Sequence, residues 1–157
     1  MIAFKHILVP TDFSDASKIA LNAALDIAKL FRSDVVLLHV YEPMVYFSDM
    51  PIGMTDIVSL EQSVRESSET YLDSLIDHVR SRGDCEGLRV DKAVVQGKPF
   101  AEIIRVAAER DSDLIVMSTH GRGGLEHMLL GSVTEKVVRK APCAVLTVRV
   151  KDSVKKK

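Results

Sequence analysis

Short, unbroken apolar runs alternate with longer segments of helical period along the whole chain, and this alternation limits the possible folds more than any other feature. Strands covered on both faces read as continuous apolar runs, and parallel neighbours need long crossovers, usually helices. His6-Ile7-Leu8-Val9, Val35-Val36-Leu37-Leu38-His39-Val40, Leu114-Ile115-Val116-Met117 and Ala144-Val145-Leu146-Thr147-Val148 are runs of that kind. Leu88 to Val95 alternates instead, as a half-buried edge strand does. Helices are expected at about Asp15 to Phe31, about Ile57 to Arg80, after Gly97-Lys98-Pro99, and from near Ser132. The pattern predicts a doubly wound, five-stranded parallel sheet with helices on both faces. One domain covers 1–150, and 151–157 form a basic solvated tail.

Ser14 or Asp15 is placed to cap the first helix, whose stripe Ile19, Ala20, Ala23, Ala24, Ile27, Ala28 and Phe31 is expected to face the sheet. The second helix carries Leu60, Val64, Tyr71, Leu75 and Val79 at helical spacing. The third offers Phe100, Ile103, Ile104, Ala107 and Ala108, and the fourth Val133, Val137 and Val138. The gap from Tyr41 to Asp56, with Met44, Tyr46, Phe47, Met50 and Met54, is longer than an ordinary connection. It reads equally as a lid or as a loop packed loosely over the sheet edge or a partner.

At 157 residues, 46% apolar and 27% charged, the chain is long enough for one core without a disulfide or structural metal. A formal charge of −1 argues against a nucleic-acid-gripping domain, and no apolar stretch approaches the roughly 18 residues of a membrane span. Cys85 and Cys143 show no C-x-x-C spacing, and the residues from Met1 to His6 lack a signal-peptide run, so a cytoplasmic protein is expected. His6, His39, His78, His120 and His127 show no zinc-ligand spacing, and no G-x-S-x-G elbow surrounds a serine.

In a doubly wound sheet the ligand crevice lies beyond the carboxyl ends of the strands where their order reverses, which directs attention to Asp12, Val40 and Ser118 onward. Glycines 121, 123, 124 and 131 crowd the segment between Ser118 and Ser132, leading from a strand end into a helix N-terminus. Free amides and the helix dipole favour an anion there, and glycine lets amides approach phosphate oxygens while adopting positive φ freely. Ser132 and Thr134 add hydroxyls. Neither G-x-x-x-x-G-K-[ST] nor G-x-G-x-x-G fits. From composition alone, a phosphate cradle and a plain capping box, Ser132 with Glu135, stand level.

This segment, with Pro10-Thr11-Asp12 after the first strand, resembles the universal stress protein family over nearly the whole chain. ATP-binding members carry G-x-x-G, nine residues, then G-[ST]; Gly121, Arg122 to Leu130, and Gly131-Ser132 match, while Ser118 stands at the first glycine. The resemblance implies the adenine nucleotide alpha hydrolase-like form of the sandwich, with ATP as ligand, accompanied by Mg²⁺ in some members. It implies that Pro10, Thr11 and Asp12 approach the ribose and adenine, and that the backbone of Val40 meets the adenine edge. Gly121 and Arg122 would line the phosphates, and Gly131, Ser132, Val133 and Thr134 would hold them through amides and hydroxyls. A side chain at Ser118 either crowds the sugar or donates to it. The function so implied is a cytoplasmic, nucleotide-responsive stress regulator acting on unidentified protein partners. The alternatives are a slow ATPase, for which Arg122 and Asp12 are the candidates, and a dimeric adaptor that binds no nucleotide. The family resemblance further implies a homodimer through Val145 to Val148, and an apolar terminal strand guarded only by Arg149 and Lys151 is an independent reason to expect one.

Overall fold

A computed structural model describes residues 3–43, 54–121 and 130–149. Strands β1 (His6–Pro10), β2 (Asp34–Tyr41), β3 (Val90–Gln96), β4 (Leu114–Ser118) and β5 (Ala144–Val148) form one sheet in the order β3-β2-β1-β4-β5. All neighbouring pairs are parallel. Helices α1 (Asp15–Phe31), α2 (Met54–Ser81), α3 (Pro99–Glu109) and α4 (Ser132–Lys140) make the crossovers. The chain winds outward from β1 to β3 and then returns to β1's other side as β4, so the order reverses between β1 and β4.

Period-two alternation divides the buried strand residues between two cores. Ile7, Val9, Val35, Leu37, Leu114 and Val116 point to one face, where Ala20, Leu21, Ala24, Leu25 and Ala28 of α1 and Leu72, Ile76 and Val79 of α2 cover them. Leu8, Leu38, Ile115 and Met117 point to the other, against Ile103, Val106 and Ala107 of α3 and Val137 of α4. β4 is buried at every position, as its unbroken apolar run requires. β3 and β5 are the edges.

Helix starts follow local chemistry. Ser14 caps α1 by accepting from the amide of Ser17, and Pro99 stands at the start of α3. A 3-10 turn at Gly83–Cys85 follows α2 and places Cys85 in the core.

Several expectations about faces need correction. Ile19 is 40% exposed and Phe31 only half-buried, while Ala23 and Ile27 pack at the margin of the core, because α1 is rotated to bury Leu21 and Leu25. On α2, Leu60 and Tyr71 are exposed, and Leu72, Ile76 and Val79 hold the core. α2 begins at Met54, inside the expected gap. Val138 of α4 is exposed as well. The remainder of the gap, 44–53, and the tail, 151–157, lie outside the described residues.

Candidate functional site

In a parallel sheet every crossover helix starts at the carboxyl ends of the strands, so helix N-termini gather on one side of the molecule. A cavity of about 370 Å³ opens there, over the reversal between β1 and β4. Its volume is within the range of small-molecule sites. One wall is the end of β1, with Pro10, Thr11 and Asp12, followed by Ser17 in the first turn of α1. Leu38 and Val40 come from β2, Met117 and Ser118 from β4. Pro99 and Ile103 of α3 close one side, and Gly131, Ser132, Val133 and Thr134 bring the start of α4 to the rim. The base and side of the cavity are therefore largely aliphatic, and its polar groups are concentrated at the two loop ends.

Hydrogen bonds set the shape of both loops. The β4–α4 loop is tied at its base by three bonds. Gly131 N–H donates to the Thr119 carbonyl (2.7 Å), Thr134 Oγ1 to the Ser118 carbonyl (3.0 Å), and Ser118 Oγ to the His120 carbonyl (2.7 Å). Ser118, 9% exposed, thus uses its hydroxyl inside the loop. Thr119 N–H reaches across to the Val148 carbonyl (3.0 Å), which joins the loop to β5.

The start of α4 settles the capping-box reading. Its N-cap is Gly131, not Ser132, and no side chain caps it. Ser132 is the first helical residue and exposed at the rim. The opening amides of a helix have no partners inside it, and the residues that carry them here, Ser132, Val133 and Thr134, line the cavity at the positive end of the dipole.

Both described cradle glycines lie outside the positive-φ region that the sequence suggested and stand at close approaches between the loops instead. Gly131 has φ −67°, and the only described glycines with positive φ are Gly87 and Gly97. A Cβ at Gly131 would stand 3.2 Å from the Thr119 carbonyl oxygen, and one at Gly121 would stand 2.6 Å from Asp12 Oδ2. The glycines let the two loops approach each other closely.

Asp12 serves both loops. Its Oδ1 accepts from the Ser14 amide (3.0 Å) and from the Ser14 hydroxyl, which makes it a turn residue. Its Oδ2 is the atom beside Gly121, on the cavity side. Phe13, the next residue, has φ +65°, a left-handed conformation that costs an L-residue about 1–2 kcal/mol. The turn is held by a relay of hydrogen bonds. Ser17 Oγ donates its single proton to the Ser14 carbonyl (2.8 Å), so Thr11 Oγ1 donates to Ser17 Oγ (2.9 Å) and accepts from the Phe13 amide (3.1 Å). His39 Nδ1 donates to the Thr11 carbonyl (2.8 Å).

All the site positions expected from sequence line this cavity except Arg122, which lies outside the described residues. Sequence reasoning missed Ser17, Leu38, Pro99, Ile103 and Met117 as lining residues, and also His120, whose Nδ1 is 3.0 Å from Thr119 Oγ1. For Leu38 and Met117 the available signal was their place near the carboxyl ends of apolar strands, two residues before Val40 and one before Ser118. Among the described residues no cluster of three His, Cys, Asp or Glu side chains could hold a metal ion. No described helix is long and apolar enough to cross a membrane.

The profile of the Universal stress protein family matches residues 3–149. The chain belongs to the universal stress protein family. A universal stress protein of Methanocaldococcus jannaschii is 32% identical over 97% of this chain and 99% of its own length. The solved structure of that protein superposes with a TM-score of 0.81 at 31% identity, covering 97% of this chain and 100% of the other. The universal stress protein UspA of Lactobacillus plantarum superposes with the same TM-score, 0.81, at 25% identity, covering 95% of this chain and 100% of its own. A universal stress protein of Archaeoglobus fulgidus, solved in complex with dAMP, shares the fold at 21% identity and a TM-score of 0.56, over 94% of this chain and 98% of its own. The doubly wound fold expected from the sequence is the fold of this family.

Proposed function

We propose that this universal stress protein binds ATP in the cavity over the β1–β4 reversal and acts as a nucleotide-responsive regulator in the cytoplasm. The observation that carries the reading is the entry to α4. A glycine N-cap without a side-chain cap leaves the first amides at the rim of a cavity whose deeper wall is aliphatic. An anionic group is favoured at the first feature and a flat apolar base at the second. The residues fit a nucleotide in that order. Leu38, Val40, Pro99, Ile103 and Met117 offer a slot for the base, and Asp12 stands where a ribose comes within reach. Gly121, Gly131, Ser132, Val133 and Thr134 take the phosphates. The dAMP complex of the Archaeoglobus fulgidus protein supports the choice of an adenine nucleotide.

Binding is favoured over catalysis because a phosphoryl-transfer site needs a cation clamp and a residue that orients the nucleophile. Asp12 commits Oδ1 to the Ser14 turn, which disfavours it as a mobile base. The test is thermal unfolding. A ligand that binds only the native state adds RT ln(1 + [L]/Kd), about 2.7 kcal/mol at a hundred times Kd. We expect millimolar ATP with Mg²⁺ to raise Tm, and an unchanged Tm refutes the reading. Steady release of phosphate under the same conditions favours the slow ATPase instead.

The assembly we propose is a homodimer through β5. Among the described residues this strand pairs only with β4, and Leu146 is 38% exposed on an edge of mostly apolar residues. Antiparallel pairing of Val145 to Val148 with a second copy satisfies the open backbone groups in a contact that closes on itself. The Val148 carbonyl accepts from Thr119, so its backbone faces β4 and the backbone groups of Thr147 face outward. Thr147→Pro removes a donor of the open edge, so light scattering should read one chain where the parent reads two. A monomeric parent at micromolar concentration ends this proposal.

A further inference from the structure

We propose that Phe13 is a positioning residue for the cavity: its ring, held between His39 and Tyr71, maintains the left-handed turn that keeps the Asp12 carboxylate beside Gly121. The inference rests on the nucleotide reading for its consequence, but its geometry stands without it. Phe13 has φ +65°, where glycine or asparagine would sit with little or no strain and a bulky L-residue is an outlier. Such a conformation persists only where the surroundings over-determine it. Here they do so from two sides. The backbone is held by the Phe13 amide on Thr11 Oγ1, and the ring lies 4.3 Å from the His39 ring and 5.2 Å from Tyr71, tilted by 30° and 37°. His39 also donates to the Thr11 carbonyl, so the end of β2 holds the turn at two points. β1 ends at Pro10 and α1 begins at Asp15, both packed into the sheet, so a change of φ at Phe13 can be absorbed only by the residues between them. Asp12 is the one among them that stands against the opposite loop, at Gly121.

Two measurements test this. The first compares ATP with inorganic tripolyphosphate by titration calorimetry on the parent, Phe13→Ala and Phe13→Tyr. Phe13→Ala should weaken ATP about tenfold, roughly 1.4 kcal/mol, with tripolyphosphate changed little, because Asp12 is assigned to the nucleoside side. Phe13→Tyr, which keeps the ring, should bind as the parent does. Equal ATP affinity in Phe13→Ala, or an equal loss for both ligands, overturns the proposal. The second measurement needs no nucleotide. Gly121→Ala should lower the denaturation midpoint of the parent, since the new Cβ meets a held Asp12 Oδ2, and should lower it less in the Phe13→Ala background, where the carboxylate is released. Additive losses overturn the proposal. A parent that binds no ATP refutes the nucleotide reading alone, and the stability cycle then decides the role of Phe13.

Discussion

The two ends of the parallel sheet both carry clefts, and the larger one is at the end without the features of a binding site. At the amino ends of the strands a cleft of about 530 Å³ lies between His6, Asp34, Val90, Asp91, Arg110 and Ser112, against about 370 Å³ at the carboxyl ends. Its charges are paired across the rim, Arg89 with Asp34 at 3.4 Å and Arg110 with Asp91 at 3.2 Å. Helices terminate at this end. Arg32 and Arg110 are the C-caps of α1 and α3, where a cation complements the carbonyl end of the dipole. At the other end helices begin, space-making glycines bring two loops together, and α4 has no side-chain cap. Volume therefore does not mark the site in this molecule. The polarity of the parallel βαβ unit does, because it sends every helix N-terminus the same way.

The largest expected effect is at Gly131. Gly131→Val places a branched side chain where even a Cβ comes within 3.2 Å of the Thr119 carbonyl, and it should abolish ATP binding and lower Tm. Ser132→Ala removes one exposed hydroxyl and should cost only about 1 kcal/mol of affinity, less than tenfold. If the two variants bind ATP equally well, the carboxyl-end cradle is misplaced.

Acid unfolding probes the other end, where Asp84 lies beside the Lys29 and Arg32 rim. The Arg82 and Lys29 hydrogen bonds hold its carboxyl well below the ordinary value of 3.8. A depressed carboxylate contributes stability at pH above that value and loses it as pH falls toward its folded pKa. The deficit of Asp84→Asn relative to the parent should therefore be present at neutral pH and shrink on acidification below 3.8. A deficit that grows in acid contradicts the assignment.

The smallest effect is expected at the amino-end ion pairs. Arg89→Ala and Arg110→Ala break exposed bridges and should change stability by less than about 1 kcal/mol, with ATP affinity unaltered. A large loss of ATP affinity in either variant would move the site to the wrong end of the sheet and break the comparison.

Much of the architecture was legible because burial on both faces leaves a direct trace in residue type. The runs His6 to Val9, Leu114 to Met117 and Ala144 to Val148 located their strands, and the pair Ser14 or Asp15 located the start of α1, which Ser14 caps. Faces were less legible. α1 is apolar around more than one stripe, with Ile19, Ile27 and Leu30 besides Leu21 and Leu25, so hydrophobicity alone could not choose among them. Packing against β1 and β4 chose Leu21 and Leu25.

The position of the cavity also followed from sequence, since strand order in βαβ units and the Gly131-Ser132 helix entry locate it at the carboxyl ends. The reason for the glycines did not. Their role depends on a distance between Asp12 and Gly121, and between Thr119 and Gly131, that no local spacing encodes. The same holds for Phe13, His39 and Tyr71, which come from the β1–α1 turn, β2 and α2 and meet only when the sheet has assembled. Local propensity and period-two burial are properties of a segment, so the chain determined its elements, their order and the end at which a ligand would sit. Close approach between loops is a property of the packed whole, so only the tertiary structure decided which side chains hold the site in shape.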